Sequence, residues 1–371
     1  MSLSTLIKTL SIILILSFQP IFIIAQNNSS IEGQVLNEKG EALKSATVFI
    51  NGSQQITITN DEGKFKFEKL SIGTFPLVVR MLGYISHVQN IQLVDKNMFI
   101  KVILQEQNYN LQEVVIGTNN DRDKNYKLFK TNFLGKSKNS ADCKILNDSV
   151  ISLQFNKKEG LLKASTDEFL IIENKALGYR IKYLLRMFQY STLTDVTLYD
   201  GQAVFEDLTG TEKEKLKWQE SRKKAYYGSL MHYLRSVYQN TVLKEGFLTH
   251  PVFSTQFYEA VQAKDLSIDP RPVQFDTLVY IVDSAFISLK FKNELYVHYN
   301  PKEASRIKVD AKPEAAETIL LNYDGSLLKL HLEEALIDEK GSMVHYNTFF
   351  IEGFWGNKRI ADQLPFEYNP T

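Results

Sequence analysis

The sequence predicts a β-rich protein: a small seven-stranded β-sandwich at the N-terminal end, then a larger α+β domain dominated by antiparallel sheet with at least one long helix. Three observations carry this. Between Ile31 and about Gln107, short segments rich in β-branched and aromatic residues recur with turn signals between them. After a polar stretch the same alternation resumes at VISLQF, residues 150–155, and continues toward the C-terminus. A single highly charged segment of helical periodicity, from Glu212 to about Asn240, interrupts that second series.

Taken in order, the first element is not part of the fold. Leu10 to Ala25 (LSIILILSFQPIFIIA) comes after Lys8 and ends in a small residue before polar sequence, the layout of an export signal. Residues 1–25 are therefore expected to be removed before Gln26, leaving an exported protein that is periplasmic or outer-membrane-associated. Downstream no uncharged apolar stretch approaches the roughly 18 residues of a spanning helix, so the mature chain is not expected to be an integral membrane protein. The remainder of the 371 residues suffices for two or three domains. Lys plus Arg and Asp plus Glu number 43 each, so no global field draws the chain to nucleic acid. Cys143 is the only cysteine, which precludes an internal disulfide and reads as a small buried hydrophobe.

The sandwich, residues 26–110, is read from IEGQVLNE, SATVFING, QITITND, GKFKFEKL, GTFPLVVRMLGY, HVQNIQLV and NMFIKVILQ. In GKFKFEKL, Phe65 and Phe67 face one way while Lys64, Lys66 and Glu68 face the other. Asn60-Asp61-Glu62-Gly63 is a turn, with Gly63 supplying a positive φ. The succession Ile31, Gly33, Val35; Ala46, Thr47, Val48; Thr59, Gly63, Phe65; Leu82, Gly83, Tyr84 resembles the carboxypeptidase-regulatory-like, transthyretin-like sandwich. In its relatives that module is an accessory to a peptidase or stands at the front of an outer-membrane receptor, so the resemblance implies a fold and a compartment. Leu111-Gln-Glu-Val-Val-Ile-Gly117 is similar to the stretch joining such a module to the plug of TonB-dependent receptors in Bacteroidota. Here the next residues, TNNDRDKNYK, are polar, and too little chain remains for a transporter of about 22 strands. Residues 111–124 are accordingly expected to be a linker, flexible and open to proteolysis from Thr118 to Lys124.

Residues 125–371 form the expected α+β domain. Asp200-Gly201 reads as a hairpin turn, and Thr211 with Glu214 as a capping box opening the helix. Leu230, Leu234 and Val237, with Tyr226 a turn earlier, give that helix an apolar face. The segments FLGKSKNSADCKILN, ALGYRIKYLL, the tyrosine-rich helix and IADQLPFEY resemble the second part of Bacteroidota proteins described as carboxypeptidase-like regulatory domain-containing. No function travels with that resemblance.

No catalytic, cofactor-binding or metal-ligating set emerges. His331 and Glu334 match H-x-x-E, but in a strand pattern positions three apart face opposite ways, and only His345 lies further along the chain. His331 and Glu333 share a face that His345 could join across a hairpin closed near 339–342, a face that also carries Lys329 and reads as solvated polar surface. His232 lies among Tyr226, Tyr227 and Tyr233, with Arg222 and Arg235 on the same element, and reads as an interfacial histidine beside core tyrosines. The expectation is a non-enzymatic exported envelope protein, with an accessory sandwich and an envelope protein or polysaccharide as partner. The competing reading is a peptidase-like hydrolase whose site is assembled from scattered residues, with Cys143, His232 or the Glu-rich hairpin as candidates.

Overall fold

The computed structural model describes residues 29–70, 73–93, 97–107, 119–258, 263–307, 316–321 and 324–370. The expected signal segment and the receptor-like Leu111–Gly117 stretch lie outside these residues. The first unit is a β-sandwich of β1 (Ser29–Asn37), β2 (Thr47–Ile50), β3 (Ile56–Ile58), β4 (Lys64–Leu70), β5 (Gly73–Arg80), β6 (His87–Leu93) and β7 (Asn97–Leu104). One sheet runs β4-β1-β7 and the other β3-β2-β5-β6, with β1 and β7 parallel. Along β4, Phe65 and Phe67 are buried while Lys64, Lys66 and Glu68 are exposed. The β3–β4 turn closes through Asn60 Oδ1, which accepts from Glu62 N at 3.1 Å and Lys64 N at 2.8 Å, with Gly63 at φ +68°.

The chain resumes with α1 (Asn119–Leu134), so residues 119–124, expected to end a flexible linker, are helical instead. The cause is apolar spacing inside a polar sequence: Phe129 and Phe133 are one turn apart, wholly buried and stacked at 5.0 Å between ring centroids. They pack on a sheet formed by β8 (Cys143–Ile145), β9 (Ile151–Asn156), β10 (Leu161–Thr166), β11 (Leu170–Asn174), β12 (Tyr179–Ser191) and β13 (Thr197–Asp207), with the short α2 (Lys138–Ala141) before it. Its order is β8-β11-β12-β10-β9, with β13 also on β12. Asp200-Gly201 is not a hairpin turn: β12 and β13 stay paired from Tyr179↔Asp207 to Tyr190↔Thr197, and the pair marks a bulge opposite Leu185–Met187.

The expected single helix is two, α3 (Glu212–Tyr226) and α4 (Leu230–Tyr238). The Thr211–Glu214 capping box is present, but Gly228 at φ +77° breaks the helix and Ser229 caps α4. Tyr233, Leu234 and Val237 of α4 fill a second core. The strands that follow are β14 (Phe247–Tyr258), β15 (Ala263–Ile268), β16 (Val279–Ile281), β17 (Phe286–Leu289), β18 (Glu294–Tyr299), β19 (Glu317–Leu320), β20 (Gly325–Leu330), β21 (Ala335–Asp338) and β22 (Phe349–Gly353), with α5 (Pro301–Ala304) after β18; β15 and β19 pack on a smaller cluster with Val252, Tyr296 and Leu327. They form two antiparallel sheets, β19-β15-β14-β18-β20-β22 and β16-β17-β21. The expected strand through His331 is therefore broken: residues 331–333 are a bend where the chain leaves one sheet for the other.

The sandwich is docked on this second unit. Val48, Ile50, Leu77 and Val79 face the sandwich core, while Phe49 and Val78 on the opposite face pack with Val204 and Phe169. The turn after β2 then pairs with β13 as an added strand: Gly52 N donates to Ala203 O at 2.7 Å and Phe205 N donates to Ser53 O at 2.9 Å. On its other side Phe366 N donates to Gly52 O at 2.8 Å, so the sandwich turn lies between β13 and the C-terminal tail. Among the described residues no helix is long and apolar enough to cross a membrane.

Candidate functional site

A cavity of about 500 Å³ opens along this junction, walled by β5, by the α3–α4 turn, by the loop after β21 and by the C-terminal tail. The α3–α4 turn sets its polar end. Gly228 N donates to His232 Nδ1 at 3.2 Å, Gly228 O accepts from Trp355 Nε1 at 2.8 Å, and Ser229 Oγ accepts from His232 N at 3.1 Å. With Nδ1 serving as acceptor, neutral His232 carries its proton on Nε2 and donates it to Glu245 Oε2 at 3.2 Å. His232 is 3% exposed, and burial holds the imidazole below its ordinary pKa, which keeps it neutral near pH 7. Its ring lies 4.8 Å from Tyr226, 4.8 Å from Phe247, 5.4 Å from Tyr227 and 5.7 Å from Tyr299, centroid to centroid.

One turn along α4, Arg235 clamps the tail. Its guanidinium donates to Lys340 O at 3.0 Å, Tyr368 O at 2.9 Å and Phe366 O at 2.9 Å, and sits 5.4 Å from the Tyr226 ring. Across the cavity, Lys340 Nζ donates to Thr74 O at 2.8 Å and stands 3.6 Å from the Phe75 ring centre. Burial lowers the pKa of that ammonium. Asp338 Oδ1 accepts from Lys340 N at 3.0 Å and Ser342 N at 2.9 Å, while burial raises its carboxyl above the usual range. Thr74 is 6% exposed, and its Oγ1 has no hydrogen-bond partner among the described residues. A buried hydroxyl left unpaired costs about 1–3 kcal/mol, so a polar ligand or water that reaches it is favoured.

The residues singled out in the sequence divide. Tyr226, Tyr227, His232 and Arg235 reach the cavity wall. Tyr233 is core, and Arg222 is spent on Leu177 O, Gly178 O and Asp207, stacked 3.7 Å from the Tyr179 ring centre. Cys143 lies in the α1 core with its thiol pushed up to about 12 by burial, which leaves no thiolate at neutral pH. Glu334 accepts from the Ser288 hydroxyl and pairs with Lys290 at 3.1 Å, while His331 and His345 are exposed. Among the described residues no group of three or more His, Cys, Asp or Glu side chains could hold a metal ion. Sequence reading missed Glu245, Thr74, Asp338, Lys340 and the tail. The one available signal was TVFI and LVVR, apolar runs too continuous for strands with a solvated face, which mark the docked surface.

No curated protein matches the chain. Among solved structures, a type II cohesin–X-dockerin complex from Acetivibrio cellulolyticus is 13% identical, covering 21% of this chain and 58% of that chain at a TM-score of 0.20. A streptococcal ancillary pilin is 9% identical over 51% of this chain and 60% of that chain, with a TM-score of 0.20. A DUF3823 family protein from Bacteroides ovatus is 10% identical over 49% of this chain and 82% of that chain, with a TM-score of 0.18. The chain thus spans less than two thirds of the length of the first two of these. The strands, the turn chemistry and the family model agree for the first unit: residues 31–116 are a CarboxypepD_reg-like domain.

Proposed function

We propose that the protein is a non-enzymatic binding protein of the cell envelope, exported and then periplasmic or outer-membrane-associated, which holds a polar saccharide at the junction of sandwich and second unit. The cavity carries this reading: among the described residues its walls combine tyrosine rings, amides, hydroxyls, four carboxylates and three cationic side chains, a polar and aromatic mixture that recognises hydroxyl-rich ligands. His232 supports binding over catalysis, because both ring nitrogens are already engaged and the ring is 3% exposed. The sandwich acts here as a wall of the site. Ligand-induced thermal stabilisation, measured against a panel of soluble oligosaccharides and short peptides, tests the proposal. Gln239, just after α4, lines the cavity, and a saccharide that stabilises the protein, loses its effect in the cavity-filling variant Gln239→Trp, and is recovered chemically unchanged supports the proposal. Conversion of any panel member to products would favour the hydrolase, and stabilisation indifferent to Gln239→Trp would move the site elsewhere.

A further inference from the structure

Charge on the cavity wall is distributed unevenly once each group's partners are counted. Among the described residues four carboxylates, Glu245, Asp338, Glu339 and Glu367, share the wall with three cations, Lys69, Arg235 and Lys340; Arg235 is held by three backbone carbonyls, the Tyr226 hydroxyl and Asn369 Oδ1, and Lys340 Nζ by Thr74 O beside the Phe75 ring. Glu245 has no cationic side chain beside it at neutral pH: among the described residues its only partner within ion-pair distance is His232 Nε2, and that imidazole is neutral near pH 7. Its side chain is 40% exposed, so one face of the carboxylate remains open to the cavity. The surroundings are aromatic. Tyr226 and Tyr227 pack 5.5 Å apart beside His232, and Tyr299 lies within electrostatic reach of both Tyr227 and Glu245. A carboxylate with no cationic side chain within ion-pair distance, on a wall where carboxylates outnumber cations and beside electron-rich rings, attracts an organic cation by charge and by cation–π contact. Independently of that charge, Thr74 lines the cavity and its buried Oγ1 lacks a partner among the described residues, so a ligand hydroxyl satisfies it once the side chain turns toward the cavity.

We propose that the saccharide held in this cavity is a free amino sugar, its ammonium group set on Glu245 against the tyrosine rings and a ring hydroxyl directed toward Thr74. This rests on the reading of the cavity as a saccharide site. His232 is a positioning residue here: it fixes one carboxylate oxygen and leaves the other for the ligand.

The test is calorimetric titration of the full protein with glucosamine oligomers of two to four units and with their N-acetylated counterparts, repeated in Glu245→Gln. In that variant the side-chain amide oxygen still accepts from His232 Nε2, so the fold is kept, which circular dichroism and the melting temperature verify. Expected are binding of the free amines, affinity at least about 10-fold weaker for the N-acetylated forms, and loss of that preference in Glu245→Gln. Equal or tighter binding of the N-acetylated oligomers, abolished by Gln239→Trp, would overturn the ammonium site and leave the saccharide site standing. Binding of a lysine tripeptide with no saccharide bound would overturn the sugar assignment and the saccharide site together. Absence of binding by every probe would overturn both as well.

Discussion

Replacing Gly52 by alanine should undock the sandwich more than it harms the sandwich itself. At φ +75° the added Cβ would lie 2.2 Å from Cε2 and 2.5 Å from Cδ2 of Phe366. The left-handed conformation alone costs about 1–2 kcal/mol for alanine. The clash adds the overpacking term, about 1–3 kcal/mol, because Phe366 is itself tied by its N–H to Gly52 O at 2.8 Å and by its carbonyl to Arg235. Gly40 separates the two contributions: it has φ +83° with nothing within 4 Å of the added Cβ, so Gly40→Ala carries the backbone cost alone. The assay is native-state hydrogen exchange at the Phe366 amide, read against urea unfolding of both variants. Gly52→Ala should speed that exchange by about 5- to 150-fold relative to Gly40→Ala, the overpacking term expressed as a rate ratio. Equal exchange in the two variants would refute the reasoning, since the tail would then be yielding without cost.

Three further outcomes rest on the same geometry. His232 is held below its ordinary pKa, so on acidification the unfolded chain takes up a proton that the folded state resists; stability should fall as pH drops below about 6.5, and His232→Gln should flatten melting curves between about pH 6.5 and 5, whereas parallel curves would contradict it. Arg235→Lys loses the fork that spans three carbonyls and should cost about 2–4 kcal/mol in urea unfolding, with the tail trimmed faster by an exopeptidase; unchanged trimming would show that the tail is held by other contacts. Cys143 should resist iodoacetamide at pH 8 until the protein unfolds, and alkylation of the native protein at the rate of a free thiol would disprove its burial.

Local rules in the sequence determined much of this protein. The strands of the first unit, the Asn60–Gly63 turn and the Thr211–Glu214 capping box depend on alternation and on side chains within a few residues of one another, so they are legible without a fold. The errors arose where one residue's conformation or a distant partner overrode the local pattern. Gly228 split a helix whose periodicity ran on, Phe129 and Phe133 made a helix of sequence that reads as linker, and a sheet-to-sheet crossing broke the strand at His331. The cavity lay wholly beyond such rules. Thr74, Glu245, Lys340 and the 366–370 tail are far apart along the chain and become neighbours only because the turn after β2 adds to the edge of β13 while Arg235 clamps the tail. The open carboxylate of Glu245 has the same origin, since which side chain stands beside it in the cavity is set by the tertiary contacts.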